Sequence, residues 1–404
     1  MSIAASTDGW TRDARVIGSI GVAHGVSHFY QLALAPLFPA IITDLDVSYT
    51  ALGFAITLMY AISGLCQPLA GFVVDRFGGY RVLVAGLVLG GVGTALAGLA
   101  PNYPTLLAAV AIVALGNSVY HPADFSILNN AVSDRRIGRA FSVHGVFGTL
   151  GYALAPAVAA PLALALGWRG ALVAMGCVGL AMALVIVFER DLLRSEQPAR
   201  EGEAPPPPLS ARALFQVPVL LCFAFFVLLA MAQIGQQTFL VATLGALYGI
   251  AMEHGQLILT TLLLGGAAGV LFGGILADRT SRHDLVATTG LLVGAAVALV
   301  LATGAVPAPL LVFLLGLSGF CIGTTNPSRD MLIRAVTPKG SSGRVYGFVY
   351  SGLDIGSAAT PVVFGWLLDH GHPQTIFVAV GAVLAVAVVT VMGVGREARA
   401  YART

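Results

Sequence analysis

Apolar residues run along this chain in stretches of about twenty, the length a helix needs to cross about 30 Å of hydrocarbon. Short polar turns such as DLDVSYT, RFGGYR and LAPNYPT separate them. The pattern predicts twelve spans, near 16–42, 50–74, 82–100, 104–128, 140–165, 168–188, 216–245, 255–277, 285–303, 308–328, 343–368 and 373–394. The polar opening, MSIAASTDGWTRDAR, is short, and the apolar run after it exceeds the core of a signal peptide. It reads as a retained first span.

Basic residues test this division. With the N-terminus inside, every Lys and Arg except Arg169 falls on an inward segment, from Arg12 and Arg15 through Arg135, Arg136 and Arg139 to Arg396, Arg399 and Arg403. Arg329 belongs there loosely, because it sits within the tenth span. A wrong number of spans scrambles such alternation, so the charges support an N-in, C-in topology.

Composition agrees. Of 404 residues 57% are hydrophobic and 10% charged, against about 25% charged in soluble domains. The net charge of +2 and the lack of a basic, aromatic-laced patch argue against nucleic acid as a partner. The four cysteines, Cys66, Cys177, Cys222 and Cys321, are scattered through apolar runs without metal or redox spacing. No cofactor motif appears, and no GxxxxGK[ST] loop for ATP.

The longest connection, ERDLLRSEQPAREGEAPPPPLSARALF, contains four consecutive prolines at 205–208 that preclude a continuous helix. It divides the chain into a bundle at 1–190, a cytoplasmic linker at 191–215 and a bundle at 216–404. The halves repeat. Placing HPADFSILNN over NPSRDMLIRA aligns Pro122 with Pro327, Gly138-Arg139 with Gly343-Arg344, Gly151 with Gly356 and Pro156 with Pro361, without a gap. GFVVDRFGGYR at 71–81 returns as GGILADRTSR at 273–282.

These residues resemble the major facilitator superfamily. Its signature between helices two and three is matched by Gly71, Asp75, Arg76, Gly78 and Arg81, with Gly79-Tyr80 departing where a basic residue often occurs. The second copy keeps Gly274, Asp278 and Arg279 but loses the following glycine. The stretches HGVSHFYQLALAPLFPAI and YHPADFSILNN look like the fosmidomycin-resistance type of drug exporter. The resemblance implies an all-α membrane protein of twelve helices in two pseudo-symmetric six-helix bundles, with both termini cytoplasmic and a substrate site between parallel repeats. It also implies a cytoplasmic gate in which Asp75 and Asp278 latch the bundles, with Arg139 and Arg344 as partners; ordinary topology-setting charges are the competing reading.

Ionisable groups inside the apolar runs are costly and mark function by default. Asp354 lies in an otherwise uncharged segment about 15 Å along the helix from Arg344. It either carries protons or makes a structural hydrogen bond. His121 and Asp124, three apart, share a helix face, whereas adjacent Arg329 and Asp330 do not. The repeat sets Asp124 on Arg329, so the two pair across the cavity in one state, or else both act as a gate near the cytoplasmic surface. His24, His28 and Gln31 form one stripe in the first helix that either lines a cavity on the substrate or proton pathway or packs with satisfied hydrogen bonds. Two histidines at this spacing bind Zn²⁺ only with a third ligand, and spacing supplies none, so no metal site is assigned. His144 has no partner in sequence. Gln233 and Gln237 share a face, with Gln236 displaced. Gly145, Gly148 and Gly151 permit close helix approach.

The expectation is a monomeric secondary transporter of a bacterial inner membrane. It exports a small organic compound, drug-like or anionic, against protons by alternating access. The rivals are an importer or facilitator of a small organic acid and an intramembrane lipid-modifying enzyme.

Overall fold

Uninterrupted apolar sequence makes helix the only economical structure here, since lipid offers no partners to free backbone groups. The computed structural model describes residues 3–133, 136–194, 215–336 and 342–401, so most of the linker lies outside the described residues. Its helices are α1 (Ile3–Ala33), α2 (Phe38–Leu45), α3 (Tyr49–Phe77), α4 (Gly79–Leu99), α5 (Tyr103–Asn117), α6 (Tyr120–Ala131) and α7 (Ile137–Phe188). They continue as α8 (Arg190–Leu193), α9 (Val217–Tyr248), α10 (Met252–Arg279), α11 (His283–Leu301), α12 (Ala308–Val336), α13 (Ser342–Asp369) and α14 (Pro373–Tyr401). Among the described residues ten helical segments are long and apolar enough to cross a membrane, α7 counted as one.

Three boundaries differ from the sequence expectation. The first span was expected as one helix over 16–42, but α1 starts at Ile3 and a 3₁₀ turn at Ala35–Leu37 separates it from α2. Pro36 removes the amide that a continuous helix needs. The fourth span divides into α5 and α6 at residues 118–119, ahead of the His121-Pro122 pair. Pro122 thereby sits in the first turn of α6, where its missing N–H costs little. By contrast, α12 runs unbroken through Pro327.

Helix α7 has 52 residues, but Gly167 at φ 68°, ψ 172° interrupts it. Only glycine adopts such a backbone freely, and the two arms match the fifth and sixth expected spans. Asn102 starts α5 by accepting the Thr105 amide at 3.1 Å, with Pro104 in the first turn.

The chain forms two compact units, residues 1–45 with 61–202, and residues 46–60 with 203–404. The opening of α3 therefore groups with the second unit. In the first unit α1 packs on α7, and α4 packs on α5 and α7. In the second, α9 packs on α13 and α14, α10 on α12, and α11 on α12 and α14. Repeat-related glycines make equivalent approaches: a Cβ on Gly151 of α7 would lie 2.0 Å from the Gly25 carbonyl oxygen of α1, and one on Gly356 of α13 would lie 2.2 Å from the Val227 oxygen of α9.

Charges at the span ends are paired within each unit. Asp13 accepts from Arg136 Nε at 2.7 Å and from Ser133, through its hydroxyl at 2.7 Å and its amide at 3.2 Å. Arg399 reaches Asp284 at 2.6 Å. Arg169, the one basic residue that the sequence set on an outward turn, meets Asp44 at 2.7 Å and lies over the Trp168 ring at 4.2 Å.

Candidate functional site

Three helices of the first unit converge on one carboxylate. Asp124 of α6 is fully buried, seven residues before the helix end and so about 10 Å along its axis from that end. Its Oδ2 faces His144 Nε2 of α7 at 3.1 Å and His24 Nδ1 of α1 at 3.3 Å. The His24 contact is close enough for an ion pair but does not have hydrogen-bond geometry. The His24 and His144 rings stack with centroids 3.5 Å apart. His28 sits edge-on to His24 at 4.5 Å, and His121 lies 5.0 Å from it.

The sequence stripe His24, His28, Gln31 thus belongs to one polar core, and His144, which had no partner in sequence, joins it from α7. Gly148 makes the space: a Cβ there would come within 3.0 Å of His24 Nε2 and 3.2 Å of His28 Cε1. His121 does share the face of Asp124, yet the carboxylate bonds to His144 rather than to it. Gln31 extends the core, donating to Asn117 Oδ1 at 2.9 Å and accepting from the Tyr152 hydroxyl at 2.5 Å. Asn117 donates onward to Ser63 at 2.8 Å. Sequence reasoning did not single out Asn117, Tyr152 or Ser63. Asn117 had a visible signal, as a polar residue at the end of an apolar run beside His121.

The second unit holds a different set. Arg329 of α12 lies seven residues before its helix end, as Asp124 does in α6. Its Nε is 3.0 Å from Asp330 Oδ1, and its guanidinium lies over the Phe226 ring at 4.5 Å. Tyr350 also donates to Asp330 at 3.0 Å. Adjacent residues point about 100° apart on a helix, so the sequence set Arg329 and Asp330 on separate faces. The pair forms because the long arginine stem bends back along the helix surface. Arg329 and Asp124 each have these partners within their own units.

Asp354 is half-buried in α13, twelve residues and about 18 Å from the helix start. It has no described ionic or hydrogen-bonding partner. Its main neighbour α9 carries Cys222 and Tyr248 as its titratable side chains. On α9 Gln236 is the buried amide, while Gln233 and Gln237, which share the other face, are half-buried. The helix also turns its 236 face toward the packed side.

At the turn from α3 to α4, Arg76, Gly78 and Arg81 line a cavity of about 590 Å³ with Asn130 and Arg194. Gly71 is half-buried, and Arg139 and Arg279 are exposed. The side chains of Asp75, Asp278 and Arg344 lie outside the described residues, so the proposed latch carboxylates have no described geometry.

The family model for the Major Facilitator Superfamily matches residues 20–255 and 230–402. The chain belongs to this superfamily. It is therefore a multi-pass membrane protein with a transport fold and no catalytic role, and it moves a small molecule by secondary transport. Among curated relatives, it is 26% identical over 289 residues to the Fosmidomycin resistance protein of Escherichia coli (strain K12), covering 70% of each chain. It is 25% identical over 393 residues to the Probable sulfoacetate transporter SauU of Cupriavidus necator, covering 92% of this chain and 91% of the relative. The fold matches that of a bacterial homolog of the human lysosomal transporter Spinster, with a TM-score of 0.78 at 15% identity over 95% of this chain and 97% of that one. It also matches the nucleoside transporter NupG, with a TM-score of 0.75 at 14% identity over 94% and 99% of the two chains.

Proposed function

We propose that this superfamily member is a proton-coupled exporter of small organic anions, with twelve spans, cytoplasmic termini and a monomeric working form. Asp354 carries the reading. A carboxylate at mid-helix in a membrane span, with no described cation beside it, is held there at a cost of several kcal/mol. Exchanging a proton with alternate sides of the membrane is a role that rewards this cost. Arg329 supports an anionic substrate, because a guanidinium backed by Phe226 offers directed donors to carboxylate, sulfonate or phosphonate oxygens. Gln233 and Gln237 add neutral donors in the same unit, and the polar core around His24 and His144 serves the first. Outward direction rests on the likeness to the Fosmidomycin resistance protein.

The test is proteoliposomes with an internal pH dye and an imposed pH gradient, challenged with sulfoacetate, fosmidomycin and a neutral sugar. Either anion, but not the sugar, should drive proton flux. Asp354→Asn should abolish this coupled flux while leaving anion counterflow in place. Coupled flux persisting in Asp354→Asn would remove the assignment.

Uptake is the second reading. The relative named as a sulfoacetate transporter aligns over 92% of this chain, more than the resistance protein does. Sidedness of accumulation in right-side-out vesicles separates the two directions.

A further inference from the structure

We propose that His24, His121 and His144, together with Asp124, form a binding site for a divalent transition-metal ion of the zinc class inside the first unit. The three imidazoles each offer a nitrogen, and these nitrogens all lie within 4.8 Å of one another. Asp124 Oδ2 is 3.1 Å from the His144 nitrogen and 3.3 Å from the His24 nitrogen. Tetrahedral zinc, with bonds of about 2.0–2.1 Å to nitrogen and oxygen, sets its donors about 3.3–3.5 Å apart. The carboxylate already stands close to that spacing from two imidazole nitrogens. His121, at the half-buried margin of the cluster, supplies the third imidazole.

A second observation points to an occupant. His121 Nδ1, His28 Nδ1 and Asp124 Oδ1 are buried without a hydrogen-bond partner. Orphaned polar atoms are expensive in an apolar interior, and with His24 Nδ1 four of them lie in one cluster. A cation at the centre takes the lone pair of His121 and the charge of Asp124. His28, in edge contact with His24, then supports the ligand ring from behind, as outer partners of metal ligands do. The donor set selects the metal class: imidazole suits zinc, nickel, cobalt and copper, while magnesium and calcium favour all-oxygen sites. A bound ion bridges α1, α6 and α7. The spacing His24-x₃-His28 pointed to two ligands at most. The other three ligands come from residues about 100 to 120 positions away, so only the fold assembles the site. Asp354 and the coupling assigned to it are in the other unit and do not depend on this ion.

The experiment uses tag-free full-length protein in detergent, stripped with chelator and titrated with Co²⁺ while visible absorption is recorded, then with Zn²⁺ in competition. One Co²⁺ per chain should bind with the intense d–d bands of tetrahedral coordination, and Zn²⁺ should displace it. Zn²⁺ should also raise the thermal unfolding midpoint. His24→Gln, His121→Gln and His144→Gln should each weaken binding at least about tenfold. The exposed pair His370→Gln and His372→Gln should leave it unchanged. Absence of a tetrahedral Co²⁺ spectrum in the wild-type protein overturns the proposal without any variant. So does a spectrum that survives His24→Gln with His144→Gln, or one that disappears with the His370 and His372 changes.

Discussion

His144 Nε2 and Asp124 Oδ2, twenty residues apart in sequence, lie 3.1 Å apart and join α6 to α7. The contact turns a lone histidine of α7 into part of the buried polar core. Truncation by His144→Ala removes the one described hydrogen bond of a fully buried carboxylate. A loss of about 1–3 kcal/mol is expected, visible as a lower unfolding midpoint in detergent without added metal. An unchanged midpoint would show that the carboxylate does not depend on His144.

Glycines on α7 give a graded test of helix packing. Gly151→Ala places a Cβ 2.0 Å from the Gly25 oxygen, which is backbone on a facing helix and cannot rotate away. It should cost about 1–3 kcal/mol. Gly145→Ala meets no atom within 4 Å and should be neutral or stabilising by up to about 1 kcal/mol. Thermal unfolding of the two variants side by side should show opposite or clearly unequal shifts.

Arg329 should not tolerate lysine. Its Nε bonds Asp330 while the guanidinium plane stacks over Phe226, and an ammonium reproduces neither geometry. Arg329→Lys should raise the KM for an organic anion about tenfold, and Arg329→Gln should raise it further. Equal KM values in the three proteins would exclude direct contact with substrate.

Asp369, at the end of α13, accepts the amides of Tyr49 at 2.7 Å and Thr50 at 2.8 Å, together with the Thr50 hydroxyl. The carboxylate therefore caps the N-terminus of α3 from a distant part of the chain, where the helix dipole favours negative charge. Asp369→Ala should cost about 1 kcal/mol, and Asp369→Asn less, because the amide oxygen still accepts. Faster hydrogen exchange at residues 49–52 in the alanine variant is the direct readout.

Much of this was legible without coordinates. Apolar length reports helices because lipid leaves the backbone no alternative, and the gap-free repeat set Gly151 against Gly356 and Asp124 against Arg329 before any packing was known. The polar stripe of α1 and the buried charges Asp124, Arg329 and Asp354 were visible as ionisable letters in apolar text. Their partners were not. His144 finds Asp124, Asn117 finds Gln31, and Asp369 finds the head of α3 through side-chain meetings that no local period encodes. Arg329 reached Asp330 against the facing rule because a flexible stem is longer than the angle it must cross. Sequence by itself determined which residues enter the membrane and in what order, since that depends on the transfer energy of each segment. The tertiary structure alone decided which imidazoles share one carboxylate, because that depends on how closely α1, α6 and α7 approach, and Gly148 and Gly151 set that distance.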